Sequence, residues 1–316
     1  MIFGDKLRIL NFMDFTFSAY ELLLKSLFNA GFSFLTYGKF LNDRYNVIYP
    51  SDKIAILRHD VEDKYINALK IAAIEHNYGI QGSYYFRIYL NRKNHQSIIQ
   101  SIAALGHEIG YHYDDLSFCK GDVYKAVERF VINIKYLRQF GPVETITMEG
   151  APLSQYDNKN LWKTPLTSEL VQIIQKQVDF PNGGFPLKSA NQNGIKKNGV
   201  LHYSLFGIKG EPYFDLDYNS FYYITDTGRR WDGFKYSVRD KMPGYHKWIE
   251  QGHIYHSTHD IIKAVQEKRF PNKVMITIHP QRWNDKPFPW FKEWVGQNFK
   301  NVFKFALNKI YQLSGK

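Results

Sequence analysis

A chain of 316 residues, 44% hydrophobic and 17% aromatic, is long enough to bury a sizeable core without disulfides or structural metals. Its one cysteine, Cys119, excludes an internal disulfide and fits a reducing compartment. The formal charge of +11 arises from 41 Lys and Arg against 30 Asp and Glu, but no basic block, zinc finger or helix-turn-helix signal goes with it, so nucleic-acid binding is not expected.

The opening MIFGDKLRILNF carries no apolar run ahead of a small-residue cleavage site, and no stretch is long and apolar enough to span a bilayer. The expected location is the cytoplasm. FSAYELLLKSLFNAG then gives the first helical pattern, with Tyr20, Leu23, Leu24 and Leu27 on one face and Gly31 placed to cap its end. FSFLT follows as a short strand, and KIAILRH as a longer one. KYINALKIAAIEHNYG is helical up to Gly79, GSYYFR a strand, SIIQSIAALG a helix ending at Gly106 and HEIGYH a strand. DVYKAVERFVINIKYLRQFG is a helix ending at Gly141, and ETITM the strand after it.

Residues 156–239 are less regular. The turns NGG, KNG, DTG and WDG and the alternation in VLHYSLFG predict hairpins or a long loop insertion there. FYYIT and VMITI supply two more strands. Strand, helix and strand repeated in this order predict parallel strands joined by right-handed crossovers, an α/β fold of the irregular (β/α) barrel type. The barrel is expected over 1–286, with 287–316 as an amphipathic helix packed on it. The second reading of that basic helix is contact with a membrane surface or a partner.

Several strand runs finish in an ionisable residue: AILRHD, EIGYHYDD, ITMEG, YYITD and MITIHP. In a parallel barrel the strand ends share one rim, so Asp60, His112, Asp114, Glu149, Asp226 and His279 are expected to gather although far apart in sequence. His and Asp suit zinc or a similar divalent ion, and His112 and Asp114, two apart, point the same way from an extended segment. Asp115 would serve instead if the chain turns helical there. A metal-held water would be the nucleophile, with His279 as proton donor and His59, Glu62 or Glu149 as base. His107 is expected to be structural. In HIYHSTHDII, Ser257 and Thr258 point to a helix cap more than His256 and His259 point to a metal.

At these residues the sequence resembles a divergent member of the polysaccharide deacetylase superfamily. The resemblance is carried by LRHDVED at 57–63, GIQGSYYFR at 79–87, GHEIGYHYDDL at 106–116 and TIHPQRW at 277–283, and more loosely by MEGAP at 148–152 and TDTGRRW at 225–231. FTFSAYELLLKSLFNAGFSFLTYGKFL ahead of them resembles the leading segment of the branch with an Arg-His-Asp-Val-Asp signature. The family's paired aspartates match His59 and Asp60, which implies Asp60 as a metal ligand and puts a histidine at the base position. His112 matches the first of two histidine ligands, but the position four on is Leu116, which leaves Asp114 or Asp115 as third ligand. His279 matches the histidine that assists the leaving group. Asp226, Arg230, Trp231 and Trp283 are then expected to contact the sugar.

The function implied is metal-dependent removal of an N-acetyl or other acyl group from a sugar of a surface polysaccharide or its precursor, with zinc the foremost candidate ion. The competing expectations are a metal-free amide hydrolase of the same superfamily, and a non-catalytic barrel that binds glycan or scaffolds a complex.

Overall fold

The computed structural model describes residues 13–43, 52–89, 95–177, 199–232 and 242–298. In chain order the elements are α1 (Phe17–Asn29), β1 (Ser33–Leu35), α2 (Tyr37–Asp43), β2 (Ile54–Val61), α3 (Tyr65–Asn77), β3 (Ser83–Phe86) and α4 (Gln96–Ala104). They continue as β4 (Glu108–Tyr113), α5 (Asp115–Phe118), α6 (Val123–Leu137), β5 (Ile146–Met148) and α7 (Ser168–Gln177). The remaining principal elements are β6 (Tyr222–Thr225), α8 (Thr258–Gln266) and β7 (Lys273–Ile278), and residues 287–298 are helical. Each strand overlaps one of the apolar runs singled out in the sequence, with β2, β4 and β7 reaching one or two residues past theirs, and the class is α/β with parallel strand pairs.

The chain forms two compact units. The first is drawn from Met1–Tyr84, Asn94–His107 and Asp217–Lys316, the second from Tyr85–Lys93 and Glu108–Leu216. In the first unit β2 is paired in parallel with β1 and β7, and β7 in turn with β6. Such strands are covered on both faces, which is why all eight residues of β2 are buried. α1 packs against α3 and α8, and its buried face is Tyr20, Leu23, Leu24 and Leu27, as the helical spacing requires. Gly31 follows it with φ +83°, a conformation that favours glycine.

α8 starts where the sequence places a cap. Ser257 accepts from the Asp260 amide at 3.1 Å, and the Asp260 side chain accepts in return from the Ser257 amide at 3.0 Å. Ser257→Ala should lower stability by about 1 kcal/mol, read as a shifted urea midpoint at unchanged slope.

In the second unit β4 and β5 pair in parallel, with His112 opposite Thr147 and Tyr113 opposite Met148. α6 packs on β4 and α7, and its first turn is capped by the Asp122 carboxylate. Gly110 in β4 is fixed by sterics, because a Cβ there would lie 2.3 Å from the Tyr85 ring and 2.9 Å from the Thr145 carbonyl oxygen. Gly110→Ala must displace a ring whose hydroxyl is tied to Thr145 at 2.9 Å, so a loss of about 1–3 kcal/mol is expected in urea melts. The alternating VLHYSLFG segment gives no extended hairpin. Val200 makes an isolated bridge to Pro165, and Tyr203–Phe206 then wind into a 3-10 turn because the His202 side chain accepts from the Ser204 amide. The expected insertion also covers 178–198 and 233–239, and the expected C-terminal helix 299–316, which lie outside the described residues.

Candidate functional site

Adjacent residues of a strand face opposite ways, and β2 separates its signature residues accordingly. Arg58 and Asp60 share one face and pair there through two bonds, Nε to Oδ1 at 2.8 Å and Nη2 to Oδ2 at 2.7 Å. His59 points the other way, under α1 and α3, and is fully buried. Its Nε2 lies 2.8 Å from Oε1 of Glu75 and 3.2 Å from the Tyr20 hydroxyl, and its ring stacks on Tyr84 at 4.1 Å. The Tyr20 and Tyr84 hydroxyls both donate to Glu75. Burial works to raise the Glu75 carboxyl, but His59, His107 and Tyr20 outweigh it and hold the group below its usual range. The position the resemblance gives to a base is therefore occupied by a histidine facing the helix layer.

Where β6 and β7 end, two expected site residues meet. Thr225 lies opposite Thr277, so Asp226 and His279 emerge side by side. Asp226 Oδ1 is 2.6 Å from His279 Nδ1, and both carboxylate oxygens accept from the His279 amide, at 3.1 and 3.0 Å. Arg282 donates to Oδ1 at 3.0 Å and the Trp283 indole to Oδ2 at 2.6 Å. These partners outweigh the effect of burial and keep the Asp226 carboxyl below its ordinary range. With Nδ1 facing the carboxylate, the ring turns Nε2 toward Glu62, whose Oε1 is 3.6 Å away on a partly exposed side chain. Asp226 thus orients a histidine, and its oxygens are engaged by side chains and backbone of its own unit.

The second unit gathers a further group at the ends of β4 and β5. His112 Nδ1 lies 2.9 Å from Thr147 Oγ1, and Nε2 is 3.3 Å from Glu149 Oε2. Despite burial, His112, Arg87 and the Ala151 amide hold the Glu149 carboxyl well below the usual range. Asp114 is clasped by two arginines, Arg87 Nε on Oδ2 at 2.7 Å and Arg129 Nη1 on Oδ1 at 2.5 Å. Asp115, first residue of α5, is fully buried and takes Arg129 at 2.7 Å and the Tyr111 hydroxyl at 2.9 Å.

Burial outweighs Arg129 at Asp115 and pushes its carboxyl up to about 7. An acid raised in the folded state gives stability that is full below its unfolded pKa and lost as pH rises through the folded value. Asp115→Asn should therefore stabilise the protein more at pH 8 than at pH 4, read from thermal melts across that range.

No protein-family model, curated protein or solved structure matches this chain.

The ligand set expected from the sequence can be tested on the donors themselves. Asp60 has a guanidinium on both oxygens, and so does Asp114. Arginine supplies there the positive charge that a divalent ion would bring, and it covers the lone pairs that the ion would need. With both carboxylate oxygens taken by arginine, neither Asp60 nor Asp114 fits as a ligand of a divalent ion.

Trp231 and Trp283 are buried in an aromatic group with Phe15 and Tyr20, at centroid separations of 5.3–6.2 Å. The Trp231 indole donates to Thr258 at 2.9 Å. Arg230 pairs through two bonds with Asp232, at 2.8 and 3.0 Å. Sequence reasoning passes over Arg58, Arg87, Arg129 and Glu75. Only Arg58 had a signal in its spacing, two residues before Asp60 on a strand.

Proposed function

We propose that the protein hydrolyses an amide C–N bond, the N-acyl group of a sugar being the substrate class, with His279 as the proton-transfer group. The observation that carries this reading is the Asp226–His279 arrangement, in which a buried carboxylate fixes one ring nitrogen and directs the other to the partly exposed Glu62. Glu62 takes a proton from water as the water oxygen adds to the acyl carbon. The C–N bond then breaks, and protonated His279 gives its Nε2 proton to the departing nitrogen. The products are an amine and a carboxylic acid, so atoms and charge balance. The motifs from 57 to 283 that resemble deacetylases support the choice of an acylated sugar.

The arginines on Asp60 and Asp114 favour the metal-free form of this chemistry over the zinc-dependent one. The test is amine release from N-acetylated sugar oligomers and from small amides, with chelator, without it and with added zinc. Activity that survives the chelator and falls about 10²- to 10⁴-fold in His279→Gln is the expected result. Failure to release amine from any substrate under any of these conditions would leave a non-catalytic glycan-binding barrel as the better reading.

A further inference from the structure

The helix at residues 287–298 is inverted relative to a packed one. The side facing its own unit is polar or hydrogen-bonded. Glu293 takes the Lys64 ammonium at 2.8 Å, Gln297 is buried, and the Trp290 indole donates to the Asp14 carbonyl at 2.7 Å. The apolar side chains face outward, with Phe288 77%, Phe291 55%, Trp294 45% and Val295 46% exposed. At 3.6 residues per turn those four fall within an arc of about 120°, opposite Trp290, Glu293 and Gln297. Exposed lysines, Lys286 and Lys292, lie on the same stretch. A contiguous aromatic face left to water opposes the hydrophobic effect unless something covers it.

Charge selects the occupant. A second copy would bring another chain of formal charge +11 against lysines that are already exposed. An anionic surface is attracted by the same lysines, and phenylalanine and tryptophan are suited to the boundary between headgroups and acyl chains. No helix among the described residues is long and apolar enough to cross a membrane, so the contact is one of lying on the surface. We propose that the outward face of this helix, through Phe288, Phe291, Trp294 and Val295, docks the protein on an anionic lipid surface.

The test is co-sedimentation of the full chain with vesicles of equal parts phosphatidylglycerol and phosphatidylcholine, and with phosphatidylcholine alone. The wild type should be retained by the anionic vesicles, less so at high salt. Phe291→Ser with Trp294→Ser should reduce partitioning about tenfold or more, with the thermal melt unchanged because both positions are exposed. Lys286→Glu with Lys292→Glu should weaken binding to the anionic vesicles by roughly fivefold per lysine and leave the neutral ones unaffected. A wild type that stays in the supernatant, or retention indifferent to the aromatic pair, would overturn the proposal. So would a wild-type dimer in light scattering that the aromatic variant abolishes, since that would give the face to a second copy.

Discussion

Asp226→Ala should destabilise the protein by about 3–5 kcal/mol, because it removes one partner from a buried, charged arrangement and leaves the others in place. The Arg282 guanidinium, the Trp283 indole and the His279 amide and ring all point at the vacated space, and each is at most 8% exposed. Equilibrium urea unfolding reads the loss directly. Asp226→Asn keeps the shape but turns one accepting oxygen into a donor that faces other donors, so it should retain part of the stability and little of the activity. The pH dependence separates charge from shape. Asp226 is lowered in the folded state, so its contribution is present above the unfolded pKa and lost as pH falls through the folded one. Wild-type stability should fall on acidification below the ordinary carboxylate range, and Asp226→Asn should lack that part of the fall. Equal acid sensitivity in the two proteins would remove the ionic account of this carboxylate.

The reason this pair was legible in the sequence, while other contacts were not, is local geometry. YYITD and MITIHP are each a short strand followed by an ionisable residue. Once the two strands pair, with Thr225 opposite Thr277, Asp226 and His279 leave adjacent strand ends within one residue of each other. In β4 and β5 His112 lies opposite Thr147, and Glu149, two residues on and therefore on the same face, comes diagonally beside it. Helix ends were legible because Gly31, Gly79, Gly106 and Gly141 stop each periodic run, and all four adopt positive φ. The arginine partners were not legible. Arg129 reaches Asp114 and Asp115 from one helical face of α6, and nothing in that helix's periodicity distinguishes it from a solvated arginine. The separation of His59 from Asp60 was available from strand alternation alone. The motif keeps the two letters together, and the pleat puts them on opposite faces. The tryptophans look alike in sequence whether they face sugar or core, and only packing distinguishes the two.

Glu75→Ala should show a comparable loss, about 3–5 kcal/mol, at a position that no motif marks. Glu75 is wholly buried on α3, between His59, Tyr20, Tyr84 and His107. Alanine would leave His59 Nε2 without the carboxylate oxygen beside it and two tyrosine hydroxyls without their acceptor, and would open a cavity beneath β2. Gly82 reports the tightness of the same place. A Cβ there would come within 2.8 Å of Glu75 Oε2 and 2.9 Å of the His59 ring, so Gly82→Ala should disturb the cluster without changing any charge.

The acid sensitivity of this cluster should have two parts. His107 Nδ1 accepts from the Gly82 amide at 3.1 Å while Nε2 lies 3.0 Å from the Ala72 carbonyl, which fixes a neutral ring with its proton on Nε2. Burial lowers the His107 pKa below 6.5, so the unfolded chain takes up that proton first and stability begins to fall as pH drops through that value. Glu75 is lowered as well, and its share is lost only at more acidic pH, as the folded carboxyl finally protonates. A urea midpoint followed from pH 8 downward should therefore decline in two stages. His107→Gln should remove the upper stage, and Glu75→Ala should remove the lower stage from a protein already less stable. A single decline unaffected by either substitution would mean that neither group takes up its proton differently in the folded and unfolded chains.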